Sequence, residues 1–254
     1  MLKNTYNKEM GILKLAQITD IHIGPTEGLY NGTDVRAEFL KVLDDLQSKD
    51  IDYIILSGDL ALDYGEAEAY EWIKVVLDNQ KLPYLVMAGN HDSVERMSNI
   101  FGVRADVQNY MLFYQKNLKG FPVFFLDSEP DIVATQQLQW LKEQASKIED
   151  EVLLFMHHPP ILCGCQFMDR KYPLRNLKET QSFINDIPNI KNIFVGHYHT
   201  EKVVKFNDKT VYLTPSTQMR ISQTNPEFEM EPQDAGWRYI EWDGTSLKTK
   251  VIYV

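Results

Sequence analysis

Ile12-Leu13-Lys14-Leu15-Ala16-Gln17-Ile18-Thr19-Asp20-Ile21-His22 is an apolar run of strand length that ends in a carboxylate and an imidazole two residues apart. Ile12 to Thr19 reads as a buried strand. Outward from it, Asp34 to Gln47 carries Val35, Phe39, Val42, Leu43 and Leu46 at helical spacing, with Asp34 and Glu38 where a helix N-terminus favours negative charge. Asp52 to Ser57 reads as a second strand, Glu66 to Leu77 as a helix with Ala69, Ile73, Val76 and Leu77 on one face, and Pro83 to Ala88 as a third strand. The order β-α-β-α-β implies parallel strands joined by crossover helices.

The remaining chain extends the pattern. Tyr110 to Tyr114 and Val123 to Leu126 read as strands, and Thr135 to Ile148 as a helix with Leu138, Leu141, Ala145 and Ile148 inward. A strand at Val152 to Met156, a short helix at Asn176 to Ile184 and a strand at Ile190 to Val195 follow. After that the helical signal stops. Lys202 to Phe206, Thr210 to Leu213, Trp237 to Trp242 and Leu247 to Tyr253 read as strands joined by turns such as Asn207-Asp208 and Asp243-Gly244. Ser222 to Asp234 reads as a long polar loop. The expected architecture is α/β, two stacked sheets with helices outside, in one domain over residues 1–254.

Composition narrows the partners. Hydrophobic residues make up 44% of the 254-residue chain and charged ones 24%, as in an ordinary folded domain. No apolar run approaches the roughly 18 residues of a membrane span, and Met1 to Met10 lacks the apolar core of a secretion signal. A cytoplasmic protein without a membrane partner is expected. The formal net charge of −10 disfavours a protein that tracks nucleic acid. It suits a small substrate or a site whose acidity is offset by cations. Cys163 and Cys165 are too close to bridge without strain and read as reduced thiols.

Five segments carry the chemistry: Asp20-Ile21-His22, Gly58-Asp59, Gly89-Asn90-His91-Asp92, His157-His158-Pro159-Pro160 and Gly196-His197-Tyr198-His199. Each directly follows a strand-like run. The carboxyl ends of parallel strands are where open α/β sheets bind ligands, so segments far apart in sequence can converge. Taken singly they are weak: Gly-Asp is a common turn pair, and His before Pro-Pro also ends a strand. Taken together they are specific. The chain has six histidines, and all six lie in these segments. With Asp20, Asp59 and Asn90 they form a mixed imidazole, carboxylate and amide-oxygen set suited to manganese, iron or zinc, with enough ligands for two ions. In an extended strand end, residues i and i+2 point the same way. Asp20 with His22, and His197 with His199, are therefore expected to face one site. A carboxylate such as Asp59 can bridge two ions about 3.5–4 Å apart.

These blocks resemble the signature of the calcineurin-like metallophosphoesterases: D-x-H, G-D, G-N-H-D, a histidine before a proline pair, and G-H-x-H. The resemblance implies a four-layer α-β-β-α sandwich of two mixed sheets. It implies one ion on Asp20, His22, Asp59 and His199, and another on Asp59, Asn90, His157 and His197, with manganese or iron foremost and zinc next. It makes His91, Asp59 and Asn90 catalytic, His91 as the non-ligand that contacts phosphate and protonates the leaving oxygen. Substrate contacts fall to His22, Asp59, Asn90, His91 and His199. His158 is not a ligand in that pattern and is expected beside the ligands. Asp92 is expected to hold a histidine or a backbone turn.

Thr135 to Leu141, Cys163 to Asn176, Thr214-Pro215-Ser216-Thr217-Gln218 and Ala235-Gly236-Trp237-Arg238 resemble the class III cyclic nucleotide phosphodiesterases. Met87-Ala88 departs from relatives that place a proline next to the glycine. This branch implies hydrolysis of 3′,5′-cyclic AMP, or a related cyclic nucleotide, to the 5′-monophosphate by a hydroxide held on the ions. The alternatives are a family member acting on glycerophosphodiesters or other small phosphodiesters and, remotely, a non-catalytic scaffold. The sequence leaves a homodimer open.

Overall fold

The structure is a computed structural model and describes residues 11–254, so Met1 to Met10 lies outside it. The chain opens with β1 (Leu13–Ile18), α1 (Val35–Gln47), β2 (Tyr53–Ser57), α2 (Ala67–Asp78) and β3 (Tyr84–Met87). The three strands pair in parallel, as the alternation requires. In α1 the carboxylate of Asp34 accepts the Ala37 N–H at 3.0 Å, and Val35, Phe39, Val42, Leu43 and Leu46 are its buried residues. In α2, Tyr70 is buried alongside Ala69, Ile73 and Leu77, while Val76 is only half-buried.

A third helix, α3 (Val94–Ile100), follows and is capped by the Ser93 hydroxyl. Then come β4 (Val107–Gln108), β5 (Met111–Leu112), β6 (Tyr114–Leu118), β7 (Phe121–Leu126), α4 (Thr135–Ala145) and β8 (Val152–Met156). Next are α5 (Gln166–Lys171), α6 (Leu177–Asn185), β9 (Ile190–Val195), β10 (Lys202–Phe206) and β11 (Lys209–Leu213). The chain closes with β12 (Arg220–Ile221), β13 (Met230–Glu231), β14 (Gly236–Trp242) and β15 (Leu247–Tyr253).

Two mixed sheets result. One has the order β15-β14-β1-β2-β3 and the other β10-β11-β9-β8-β7-β6. In the second, β7, β8, β9 and β11 run parallel and the edge strands β6 and β10 are antiparallel. Every residue of β8 is buried, as a strand covered on both faces should be. Polar ties cross between the sheets: Gln17 Nε2 donates to Val195 O at 3.3 Å, and Tyr114 Oη donates to Val86 O at 2.6 Å. On the outer layers, Trp237 Nε1 donates to Asp45 of α1 at 3.0 Å, and Trp140 of α4 meets the Phe124 ring edge-on at 5.7 Å. The fold is the expected α-β-β-α sandwich.

Three local readings need correction. Tyr110 to Tyr114 is not one strand: Asn109 and Tyr110 take positive φ, and the chain breaks into the two-residue β5 and a separate β6. The helix from Thr135 stops at Ala145, with Ser146 as its C-cap, so Ile148 lies beyond it. The 222–234 stretch is not wholly loop, because Met230–Glu231 pairs with Arg220–Ile221.

Candidate metal centre and cleft

β1, β2, β3, β8 and β9 deliver the five segments to one edge shared by both sheets. The paired residues do not extend their strands, contrary to the expectation from their spacing. Asp20 (φ 53°), His22 (44°), Asp59 (52°), His197 (65°) and His199 (50°) all lie in the left-handed region. Such backbone costs roughly 1–3 kcal/mol per residue and persists only where surroundings over-determine it. Here each residue past a strand end turns the chain sharply. Cross-chain bonds hold the turns: Asp20 N–H to Gly58 O at 3.0 Å, and His22 N–H to Asp59 O at 3.0 Å. Two glycines make room. A Cβ on Gly89 would overlap the Asp59 carboxylate, and one on Gly196 would overlap Thr19 and the Asp20 carboxylate.

The side chains then meet in two groups that share Asp59. Asp20, His22, Asp59 and His199 form one, and Asp59, His157 and His197 the other; within each group the donor atoms all lie within 4.8 Å of one another. His22 Nε2 faces His199 Nε2 at 3.1 Å, His199 Nε2 lies 3.3 Å from Asp20 Oδ1, and His157 Nε2 lies 3.1 Å from Asp59 Oδ2. Asn90 lines the same cleft, and its buried Oδ1 has no hydrogen-bond partner among the described residues.

Backbone carbonyls set the rings. His157 Nδ1 donates to Ser57 O at 2.9 Å, and His197 Nε2 donates to Tyr172 O at 3.0 Å, which leaves the opposite nitrogens for the site. Burial pulls the His22 pKa down to about 4, and burial with the neighbouring His158 and His157 rings holds His197 well below its ordinary value. Both rings thus offer lone pairs. Burial also opposes charge on Asp59 and Asp20, but the imidazoles around them outweigh it and keep both carboxylates below their usual range. Burial likewise opposes a proton on His157, yet Asp59 and Asp20 lift its pKa to about 10. The two carboxylates demand positive charge there. An unpaired amide oxygen, two ring nitrogens face to face and two buried carboxylates are a donor set that fits divalent cations.

Two neighbours hold the ligands rather than join them. His158 meets Ser128 Oγ at 2.9 Å and Asp131 Oδ1 at 3.3 Å, and its ring lies 4.0 Å from that of His197. Asp92 holds backbone turns and no histidine: it accepts the N–H groups of Leu60, Ala61 and Gly89 and the Tyr70 hydroxyl. His91 donates its own N–H to Asp59 Oδ1 at 2.9 Å and its Nδ1 to Leu62 O at 2.7 Å. Its ring lines the cleft beside His22, centroid to centroid 4.8 Å, with Nε2 as the remaining nitrogen.

The cleft measures about 670 Å³. His22, Asp59, Asn90, His91, His197 and His199 line its polar end, whereas Asp20 and His157 lie behind them, fully buried. The rest of the wall has no site role in the sequence reading: Phe167, Met168 and Tyr172 fall in the 163–176 stretch and Gln218 in the 214–218 stretch that resemble the class III enzymes, Phe228 falls in the 222–234 stretch read as a loop, and Met219 and Ile221 lie outside all of these. The available signal was an apolar residue or pair set in an otherwise polar stretch, as Phe167-Met168 and Phe228 are. Cys163 and Cys165 are buried and unbridged. They flank a turn wound on Asp169, whose carboxylate accepts the N–H groups of Cys163, Gly164 and Cys165, and this turn leads into α5. Among the described residues no helix is long and apolar enough to cross a membrane.

A buried dinuclear ligand set at the shared edge of two mixed sheets is the mark of a metal-dependent phosphoesterase. The chain belongs to the calcineurin-like phosphoesterase family, whose profile matches residues 13–201. It is 43% identical over 245 residues to a probable cyclic nucleotide phosphodiesterase of Fibrobacter succinogenes, covering 96% of this chain and 95% of that one. It is 28% identical over 250 residues to the 3′,5′-cyclic adenosine monophosphate phosphodiesterase CpdA of Escherichia coli K12 (94% and 89% covered). It is 27% identical over 262 residues to a probable glycerophosphodiester phosphodiesterase GpdQ of Arcobacter nitrofigilis (94% and 93%). In fold it is similar to a dimetal phosphatase from Danio rerio, with a TM-score of 0.66 at 12% identity, covering 95% of this chain and 98% of that one.

Proposed function

We propose that this protein is a metal-dependent phosphodiesterase that hydrolyses 3′,5′-cyclic AMP, or a closely related cyclic nucleotide, to the 5′-monophosphate. The observation that carries the reading is Asp59, one carboxylate common to two buried ligand groups, with the His91 ring lining the same cleft. In this proposal Asp20, His22, Asp59 and His199 hold one cation, and Asp59, Asn90, His157 and His197 hold the other. Such a pair, when bound, supplies positive charge for the phosphoryl oxygens and makes water acidic enough to act as nucleophile near neutral pH.

The protein's own groups do the rest. The Leu62 carbonyl fixes the His91 tautomer and orientation, so that Nε2 faces the cleft. Protonated there, it would donate to the departing 3′-oxygen as a water, its proton already lost to solvent, adds its oxygen to phosphorus and the P–O3′ bond breaks. His22, Asn90 and His199 line the polar end where a phosphate would sit. The names of the Fibrobacter and Escherichia relatives support the cyclic nucleotide. The Arcobacter relative supports a second reading, a glycerophosphodiester substrate. Manganese-reconstituted protein assayed side by side against 3′,5′- and 2′,3′-cyclic nucleotides, a glycerophosphodiester and bis-p-nitrophenyl phosphate decides between them. The highest kcat/KM on 3′,5′-cyclic AMP is expected; a clear preference for the glycerophosphodiester would replace the first reading by the second.

A further inference from the structure

The cleft wall has two unlike parts. The ligand groups and His91 form a polar one. The other is aromatic: the Phe167 ring lies 5.5 Å from that of Phe228 and 5.7 Å from that of Tyr172, whose backbone oxygen meets His197 Nε2 at 3.0 Å. Phe167 is 8% exposed and anchored in α5, whereas Phe228 and Tyr172 are each more than half exposed, at 52% and 53%. Three aromatic rings gathered on a cleft wall, two of them left open, form a surface without a covering partner within the fold.

The wall is also fixed in place. Phe228 sits on the 222–234 segment, which is tied to α5 by the Gln166 N–H to Gln223 O at 3.0 Å and by Arg170 to Glu227 at 2.9 Å. Within that segment, Ser222 N–H donates to Glu229 O at 3.0 Å and Asn225 Nδ2 to Glu229 at 2.8 Å. Gln218 lines the same cleft and is 6% exposed. Its backbone N–H is held by the Ser216 hydroxyl at 3.0 Å, while its side-chain amide makes no hydrogen bond to the described residues. A nearly buried amide with one donor and one acceptor edge matches the N6 and N7 edge of adenine.

We propose that Phe167, Tyr172 and Phe228, with the Gln218 amide, form a purine-binding subsite that gives this cleft its preference for nucleotides over phosphodiesters without a base. The proposal rests on the cyclic nucleotide reading and names the groups that would carry its specificity. The rings supply a stacking platform and the amide reads the base edge, while the phosphate stays at the ligand groups and His91.

The test uses the full chain loaded with manganese. Phe228→Ala removes an exposed ring and leaves the core alone; Phe228→Trp restores a stacking face. With cyclic AMP and glycerophosphoethanolamine as paired substrates, the ratio of their kcat/KM values should fall about ten- to a hundredfold in Phe228→Ala, mostly through KM for cyclic AMP, and return in Phe228→Trp. Gln218→Ala should lower the same ratio and narrow the preference for adenine over guanine. An unchanged ratio in Phe228→Ala overturns the subsite. Inhibition of bis-p-nitrophenyl phosphate hydrolysis by 5′-AMP and by ribose 5-phosphate separates the two levels of the argument. If the wild-type protein ignores cyclic AMP, the cyclic nucleotide reading fails; the subsite still stands if 5′-AMP inhibits more strongly than ribose 5-phosphate and loses that advantage in Phe228→Ala. Equal inhibition by both in the wild-type protein removes the subsite whatever the substrate.

Discussion

Asp59 sits at φ 52° with Oδ1 accepting the His91 N–H and Oδ2 3.1 Å from His157 Nε2. Its carboxylate is common to both ligand groups, so Asp59→Ala should strip both cations and abolish turnover. Elemental analysis of the variant checks this, and retention of two cations with near-normal kcat would contradict the shared role. The His91 side chain is in neither ligand group and only its backbone N–H reaches Asp59, so His91→Ala should keep the metal content while kcat on cyclic AMP falls about 100- to 10,000-fold. The loss should be much smaller on bis-p-nitrophenyl phosphate, because p-nitrophenolate leaves without a proton; an equal loss on both substrates would deny His91 the proton-donor role. At this scale the sequence was informative about identity and silent about conformation. All six histidines stand in four of the five strand-end segments, and Asp59 alone carries the fifth. The left-handed φ of Asp20, His22, Asp59, His197 and His199 had no signature, since none is a glycine and the strain is imposed by contacts distant in sequence.

Between strand ends, one buried carboxylate organises two turns. Asp92 takes N–H groups from Leu60, Ala61 and Gly89, and so joins the turn after β2 to the turn after β3. Tyr70 of α2 donates to it at 2.8 Å and accepts from the Ser93 N–H at 2.9 Å. Asp92→Ala should leave three buried N–H groups unpaired and lower stability by about 3–5 kcal/mol, and Tyr70→Phe by about 1–3 kcal/mol. Denaturant unfolding measures both; a loss below about 1 kcal/mol in Asp92→Ala would show that water replaces the carboxylate. The long elements were legible because their periods are long: α1, with its five buried residues in register, and the all-apolar β8 read directly. The short ones were not. α3 has seven residues and α5 six, under two turns each, too few for a period to emerge. β6 reads Tyr-Gln-Lys-Asn-Leu and owes its strand to pairing with β7, not to its own composition.

Across the whole molecule the centre joins the two sheets. The first sheet supplies Asp20, His22, Asp59 and Asn90 from beyond β1, β2 and β3; the second supplies His157, His197 and His199 from beyond β8 and β9. Cations bound there stabilise only the folded state. At a hundred times Kd each site contributes about 2.7 kcal/mol, and a domain of this size shifts by roughly 2–4 °C per kcal/mol. Chelation should therefore lower the melting temperature by about 10–20 °C, and manganese should restore it. Calorimetry with and without chelator checks this, and a transition indifferent to metal would refute cation binding at the sheet edge. Strand order was the least legible feature. β14 and β15 were readable as a hairpin, but their docking beside β1 rather than beside β11 depends on a packing partner over two hundred residues upstream. The divided origin of the donors has a practical corollary for anyone wishing to transplant this centre. Neither leaf of the sandwich, expressed or copied alone, carries a complete set of donors, and any cut or circular permutation that loosens one leaf against the other dismantles both donor groups together.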